Sequence, residues 1–178
     1  RNIIEYYNSN ISNYNIIPIS RADVDFSDTQ AFFQLVKKIK PDHIVHCAAS
    51  LDNLDNNIRM FFSLEKAASI CSKVILLGSG SEYNNKHYKP LMKEEYFDTH
   101  ISLPSDVYSL SKHTIAKLHQ LSKHKNIFNL RLFGIYGPYE DYKRRLISNN
   151  IIRSLQGKSL LYNKNISFDY VYINDFID

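Results

Sequence analysis

The sequence predicts an α/β fold built as a doubly wound parallel sheet, and three observations predict it. Short apolar blocks rich in β-branched and aromatic residues alternate with longer segments whose apolar residues recur at helical spacing. Alternation at this length is the pattern of strand–helix–strand units, in which each crossover helix brings the chain back to a parallel neighbour. Polar breaks such as Asn53 to Asn57 separate the blocks, but no repeat and no Pro/Gly/Ser-rich linker divides them, so the chain reads as one domain over residues 1–178.

In chain order, Asn2 to Tyr7 opens as a helix and Ile16 to Ile19 reads as a buried strand. A second short strand is expected to end at Asp25-Phe26, after which Asp28 or Ser27 can cap a helix over Thr29 to Ile39. Ile44 to Ala48, Val74 to Leu77, Phe128 to Phe133 and Tyr170 to Ile173 read as further strands. Helices are expected between them at Asn57 to Ile70, Ser105 to His124 and Leu146 to Gln156. Sheets wound in this way bind ligands at the carboxyl ends of their strands, so those ends are where chemistry is to be sought.

Composition narrows the class of function. With 178 residues and 44% hydrophobic content the chain can bury a sizeable core, and no apolar run reaches the length of a membrane span. Its formal net charge of +4 comes without the long basic block that marks a nucleic-acid arm. Cys47 and Cys71 lack metal-ligand spacing, which fits a reduced, cytoplasmic setting better than a disulfide framework. Among the seven histidines, His100 included, only His43 and His46 lie near each other, and in a strand they point to opposite faces, so no metal is expected.

The sharpest local signal is Tyr108-Ser109-Leu110-Ser111-Lys112, a Tyr and a Lys four apart at the start of a helix and therefore on one face. An ammonium beside a phenol favours the phenolate, which suits a group that gives or takes a proton during carbonyl reduction. The strand Val74 to Leu77 runs into Gly78-Ser79-Gly80-Ser81-Glu82-Tyr83, and Ser79 at its end supplies a hydroxyl able to donate to a substrate oxygen.

In these motifs the sequence resembles the extended short-chain dehydrogenase/reductases, the NAD-dependent epimerase/dehydratase family, and the resemblance runs along nearly all its length. Pro41 to Ala49 resembles the family's fourth strand with its closing pair Ala48-Ala49, and Leu130 to Pro138 resembles the strand and loop that reach the nicotinamide and the sugar-nucleotide phosphates. Phe168 to Asp175 resembles a further family strand. The resemblance implies a Rossmann-type sheet, incomplete here at both ends. It makes Ser79 the group that polarises the reacting oxygen, Tyr108 the acid/base, and Lys112 the residue that holds the nicotinamide ribose and eases ionisation of Tyr108. Ser81, two residues after Ser79, becomes a second hydroxyl at the sugar, and Gly134 stands where members often place a substrate-contacting Asn. Cofactor contacts are implied at Asp25, Phe26, Ala48, Ala49 and Phe133 as well as at Tyr108 and Lys112.

Arg21 follows the Ile16 to Ile19 strand at the place where the family reads the adenosine ribose. A guanidinium there suits a 2′-phosphate, so NADP is expected, with NAD possible. Gly80-Ser81 stands where the family's dehydratases carry Asp-Glu, which leaves reduction of a 4-keto nucleotide sugar or epimerisation. The chain is most similar in pattern to fucose-synthase-like and dehydrorhamnose-reductase-like members, and a homodimer is compatible with that. The glycine-rich turn that would hold the pyrophosphate is not found before Asn2. The sequence is therefore expected to be part of a longer protein, the alternative being a non-catalytic, degenerate binding module.

Overall fold

The computed structural model describes residues 1–9, 13–99, 102–162 and 168–178. Its elements are α1 (Asn2–Ser9), α2 (Thr29–Ile39), β1 (His43–His46), α3 (Leu54–Ala68), β2 (Lys73–Leu77), α4 (Tyr96–Thr99), α5 (Val107–Leu121), β3 (Ile127–Leu130), β4 (Gly134–Tyr136), α6 (Leu146–Leu155), β5 (Tyr170–Tyr172) and α7 (Ile173–Ile177). Contacts divide them into two units, Ile19–Leu132 on one hand and Arg1–Pro18 with Phe133–Asp178 on the other.

In the larger unit β1, β2 and β3 pair in parallel and in chain order, with α3 and α5 as the crossovers, which is how one half of a doubly wound sheet is built. The register aligns Ile44, Val74 and Ile127 in one row and His46, Leu76 and Asn129 in another on the same face. Against that face pack Phe32 and Val36 of α2, Phe61, Leu64, Ala67 and Ala68 of α3, and Ile115 of α5. Removing an aliphatic or aromatic side chain of this kind from water is worth about 1.5–3 kcal/mol each, so this layer supplies most of the unit's cohesion.

Local chemistry decides where the helices start. Asp28 rather than Ser27 caps α2, its carboxylate accepting from the backbone N–H groups of Gln30 and Ala31. Asn53 caps α3 by accepting from Asn56 N–H, so the helix begins at Leu54 rather than at the Asn57 expected from apolar spacing. The helix α5 begins at Val107, two residues later than expected, because Asp106 takes the cap position and accepts from Ser109 N–H.

Three strand expectations are corrected. Ile16 to Ile19 is not a strand: Pro18 has no N–H to give, and no strand among the described residues lies beside it to complete a ladder. Nor does a strand end at Asp25-Phe26. There the carboxylates of Asp23 and Asp25 accept from the backbone and hydroxyl of Ser20 and Ser27, and these short-range bonds fold the segment into turns. The Phe128 to Phe133 strand is divided, because Leu132 gives its carbonyl to Gly80 N–H at 2.8 Å and Arg131 turns to Glu82, which ends the β2 ladder at Leu130.

In the smaller unit β4 and β5 form a parallel pair with Gly134 opposite Tyr170. A Cβ at Gly134 would press on the Tyr170 ring and on the carbonyl of Asp169, so close strand approach requires glycine at that position. Helix α1 joins this unit through Asn2, which donates to Pro138 O at 3.1 Å, and Glu5, which accepts from the Tyr139 hydroxyl at 2.6 Å. Among the described residues no helix is long and apolar enough to cross a membrane.

Candidate active site

The end of β2 is shaped by its own side chains. Ser79 is extended and caps the short 3-10 turn Gly80–Glu82: its Oγ accepts from Ser81 N–H at 3.2 Å and from Ser81 Oγ at 2.8 Å. A hydroxyl has two lone pairs and one proton, and Ser81 occupies both lone pairs. What remains on Ser79 is a donor, the capacity that polarising a carbonyl oxygen needs. Ser81 therefore touches Ser79 rather than standing apart from it.

Tyr108 lies half-buried in the first turn of α5, and Lys112 follows one turn later on the same face. The Lys112 ammonium is 5.8 Å from the centroid of the Tyr108 ring and donates to the carbonyl oxygen of Leu77 at 2.7 Å. The fold thus brings the Tyr–Lys pair to the end of the strand that leads into Ser79. Lys112 is only 7% exposed. Its burial pushes the ammonium pKa below the ordinary lysine value, and the negative charge of Glu82 pulls it partly back.

Around this centre His46, at the end of β1, is buried, and its pKa is lowered to about 4 by desolvation, with the charge on Lys112 acting in the same direction. Its ring meets Phe26 edge-on at 6.2 Å, and Phe26 meets Phe32 at 5.8 Å. Ala48 and Ala49 follow β1 in a loop that Asn57 fixes by bonding both Ser50 N–H and Ser50 O. Arg21 is exposed and makes no ion pair among the described residues. The nearby carboxylate of Asp25 is held below its usual range chiefly by the backbone N–H and hydroxyl of Ser27, with the charge of Arg21 contributing less. Phe133 and Gly134 belong to the smaller unit, where Phe133 meets Phe168 edge-on at 6.0 Å and Gly134 makes room for Tyr170.

These groups fit a dinucleotide. The Lys112 ammonium carries three donors, of which Leu77 takes one, leaving two for ribose hydroxyls. Ala48 and Ala49 keep the end of β1 clear of bulky side chains, and Arg21 is a cation whose acidic neighbours are engaged elsewhere. Among the described residues no group of three or more His, Cys, Asp or Glu side chains could hold a metal; His100 lies outside them.

Three features escape pattern reading. Glu82 is buried in an ion pair with Arg131, 2.7 Å apart. The signal was available, because Ser79-Gly80-Ser81-Glu82 is the Ser-x-x-Glu capping box that the structure forms. Asn57, a polar residue at a buried helix position, bonds Ser111 of α5. Lys143, Arg144 and Arg145 line up before α6, whose cap position carries no side-chain bond.

The chain matches the family described as "NAD dependent epimerase/dehydratase family" over residues 2–178. Among solved structures it is similar to a GDP-mannoheptose C4 reductase from Campylobacter jejuni with NADP bound, at 17% identity and a TM-score of 0.69, over 85% of this chain and 50% of that one. The enzyme WbmG of Bordetella bronchiseptica in complex with NAD and UDP is similar at 19% identity and a TM-score of 0.69, over 94% and 52% of the two chains. A dTDP-4-dehydrorhamnose reductase from Yersinia enterocolitica is similar at 21% identity and a TM-score of 0.65, over 87% and 55%. No curated protein matches. The chain thus spans about half the length of these solved relatives, and the likeness to them is one of fold.

Proposed function

Since the chain belongs to the NAD dependent epimerase/dehydratase family, we propose that it forms the core of a NAD(P)-dependent nucleotide-sugar oxidoreductase that reduces a 4-keto sugar. The observation that carries this reading is the buried Lys112 ammonium, fixed on Leu77 O at 2.7 Å and facing the ring of Tyr108. A charge so placed is expensive to bury, and it is useful where a phenol must release a proton and recover it.

When bound, the nicotinamide supplies or accepts the hydride. The protein's part is to handle the proton and the oxygen. Ser79, both of whose lone pairs are taken by Ser81, donates its hydroxyl proton in a hydrogen bond to the carbonyl oxygen and draws charge toward it. Tyr108 gives its phenolic proton to that oxygen as the carbonyl becomes an alcohol, and Lys112 stabilises the phenolate left behind. The remaining N–H bonds of Lys112 hold the nicotinamide ribose. Ala48 and Ala49 receive the dinucleotide, Asp25 and Phe26 bound the adenine, and Arg21 bonds the 2′-phosphate of NADP. Ser81, bonded to Ser79, lies on the substrate side. Gly80-Ser81 provides no acid for expelling water, which argues against a dehydratase.

The test uses the intact protein with NADPH and a panel of GDP-, dTDP- and UDP-linked 4-keto sugars. Consumption of NADPH with formation of the matching alcohol supports the reading. Interconversion of epimers without net NADPH use replaces it with an epimerase, and nucleotide binding without any conversion replaces it with a binding module.

A further inference from the structure

Glu82 joins the turn after β2 to β3 and to α5, yet the chemistry above does not use it. Its side chain is 1% exposed and accepts from Ser79 N–H at 3.0 Å, from the Asn129 amide at 3.1 Å to each oxygen, and from Arg131 Nε at 2.7 Å. Its backbone carbonyl bonds Nδ1 of His113 at 2.8 Å, and His113 is the residue after Lys112. One residue therefore ties the Ser79 turn, through its carboxylate, to the helix carrying Tyr108 and Lys112, through its backbone. Gly78 belongs to the same device: a Cβ there would collide with the Glu82 carboxylate and the side-chain oxygen of Asn129. Only bare backbone lets the carboxylate sit beneath the strand end.

Stability alone does not account for this arrangement. A buried ion pair recovers little more than its own desolvation cost, and a well-packed apolar pair in its place is often as stable. An ionised carboxylate does what an apolar side chain cannot: it holds an N–H in a set direction and presents a fixed charge to a nearby cation.

We propose that Glu82 is a positioning residue: clamped by Arg131 and Asn129, it fixes the Ser79 hydroxyl relative to the Tyr108–Lys112 pair. The proposal rests on the reading of Ser79, Tyr108 and Lys112 given above. Arg131 works through Glu82, as a clamp that holds the carboxylate oriented.

The experiment compares the intact wild-type protein with Glu82→Gln and with the double variant Glu82→Leu/Arg131→Met, which removes both charges together and so avoids leaving one unpaired. Amide hydrogen exchange is followed residue by residue. The pH dependence of acetic anhydride labelling at Lys112 is followed by mass spectrometry, and thermal melting reports the fold. Exchange at Ser79 should quicken at least tenfold in both variants, about the effect of losing one hydrogen bond to a charged group. The labelling midpoint of Lys112 should move to lower pH, while amides of α2 and α3 keep their protection and the double variant melts near the wild type. With a 4-keto nucleotide sugar that the wild type reduces, kcat should fall tenfold or more and KM should change little. An unmoved Lys112 midpoint with unmoved Ser79 exchange overturns the proposal. Exchange that quickens uniformly across the unit also overturns it, since Glu82 would then only hold the fold. Labelling and exchange need no substrate, so a wild type inactive on every 4-keto sugar would defeat the functional reading and leave this result to stand or fall separately.

Discussion

Asn57 on α3 donates its side-chain amide to the hydroxyl of Ser111 on α5 at 2.9 Å, and Ser111 in turn donates to the carbonyl oxygen of Tyr108 at 2.7 Å. Both side chains are buried, at 3% and 0% exposure. Through its other bonds, from Ser50 N–H at 2.7 Å and to Ser50 O at 2.8 Å, the same Asn57 holds the loop that follows Ala48-Ala49. The loop read as a cofactor contact and the helix read as catalytic are thus held by one amide. Asn57→Ala should destabilise the protein by about 2–4 kcal/mol, since it deletes three bonds, one of them to the buried Ser111 hydroxyl, and leaves the half-buried Ser50 N–H without its acceptor. Urea denaturation measures this, and a loss below about 0.5 kcal/mol would mean that water replaces the amide.

Tyr108→Phe should lower turnover by about a hundred- to ten-thousandfold with nucleotide affinity nearly unchanged, because it deletes the proton and leaves the ring. Lys112→Met should lower turnover and also weaken nucleotide binding, because the ammonium serves both ends. Measuring kcat and the NADPH dissociation constant separately distinguishes the two variants. A Tyr108→Phe enzyme that retains a tenth or more of its turnover would remove Tyr108 from the mechanism.

Much of this was legible in the residue pattern, for a physical reason that differs from element to element. Helices α2, α3 and α5 announce themselves because apolar spacing and an Asp or Asn cap are local properties, and Tyr108 and Lys112 share a face simply by being four apart. Strands depend on neighbours. Ile16 to Ile19 has a strand's composition, but Pro18 and the want of a flanking ladder decide against it. The bend after β3 depends on Gly80 and Glu82 meeting Leu132 and Arg131, which lie about fifty residues further along the chain and reach them only after folding. For the same reason Asn57 was invisible: a buried Asn is recognised by its partners, and Ser111 is 54 residues away.

Stability should fall as pH falls from about 6.5 to about 4, and His46 is the cause. Burial lowers its pKa from 6.5 to about 4, so in that window the unfolded chain takes up a proton that the folded chain refuses. More protons bound in the unfolded state means that stability rises with pH across the window and is fully present above 6.5. A shift of that size corresponds to about 3 kcal/mol at its lower end. His46→Gln should flatten the urea-denaturation profile between these pH values. A variant whose profile stays parallel to the wild type would assign the acid loss to other groups.

Arg21 should make the intact protein prefer NADP to NAD. The acids close to it in sequence are engaged: Asp23 accepts from Ser20 N–H and hydroxyl, each at 2.8 Å, and Asp25 accepts from Ser27 N–H at 2.9 Å and its hydroxyl at 2.8 Å. The guanidinium is exposed and makes no ion pair among the described residues, so a phosphate approaching it has no carboxylate to displace. At neutral pH a 2′-phosphate carries more than one negative charge, and the planar fork of Arg can give it two parallel N–H bonds. Solvent and salt weaken such a contact at an exposed site, which brings the expected discrimination to roughly tenfold at low ionic strength. Arg21→Ala should therefore weaken NADP binding about tenfold while changing NAD binding by less than about twofold, and the gap should narrow as salt rises. Arg21→Lys should keep part of the preference, because the charge remains and the fork is lost. The measurement is the ratio of the NADP and NAD dissociation constants for wild type and both variants at two salt concentrations. If that ratio is the same in all three proteins, Arg21 does not read the 2′-phosphate, and the choice of cofactor lies with other residues.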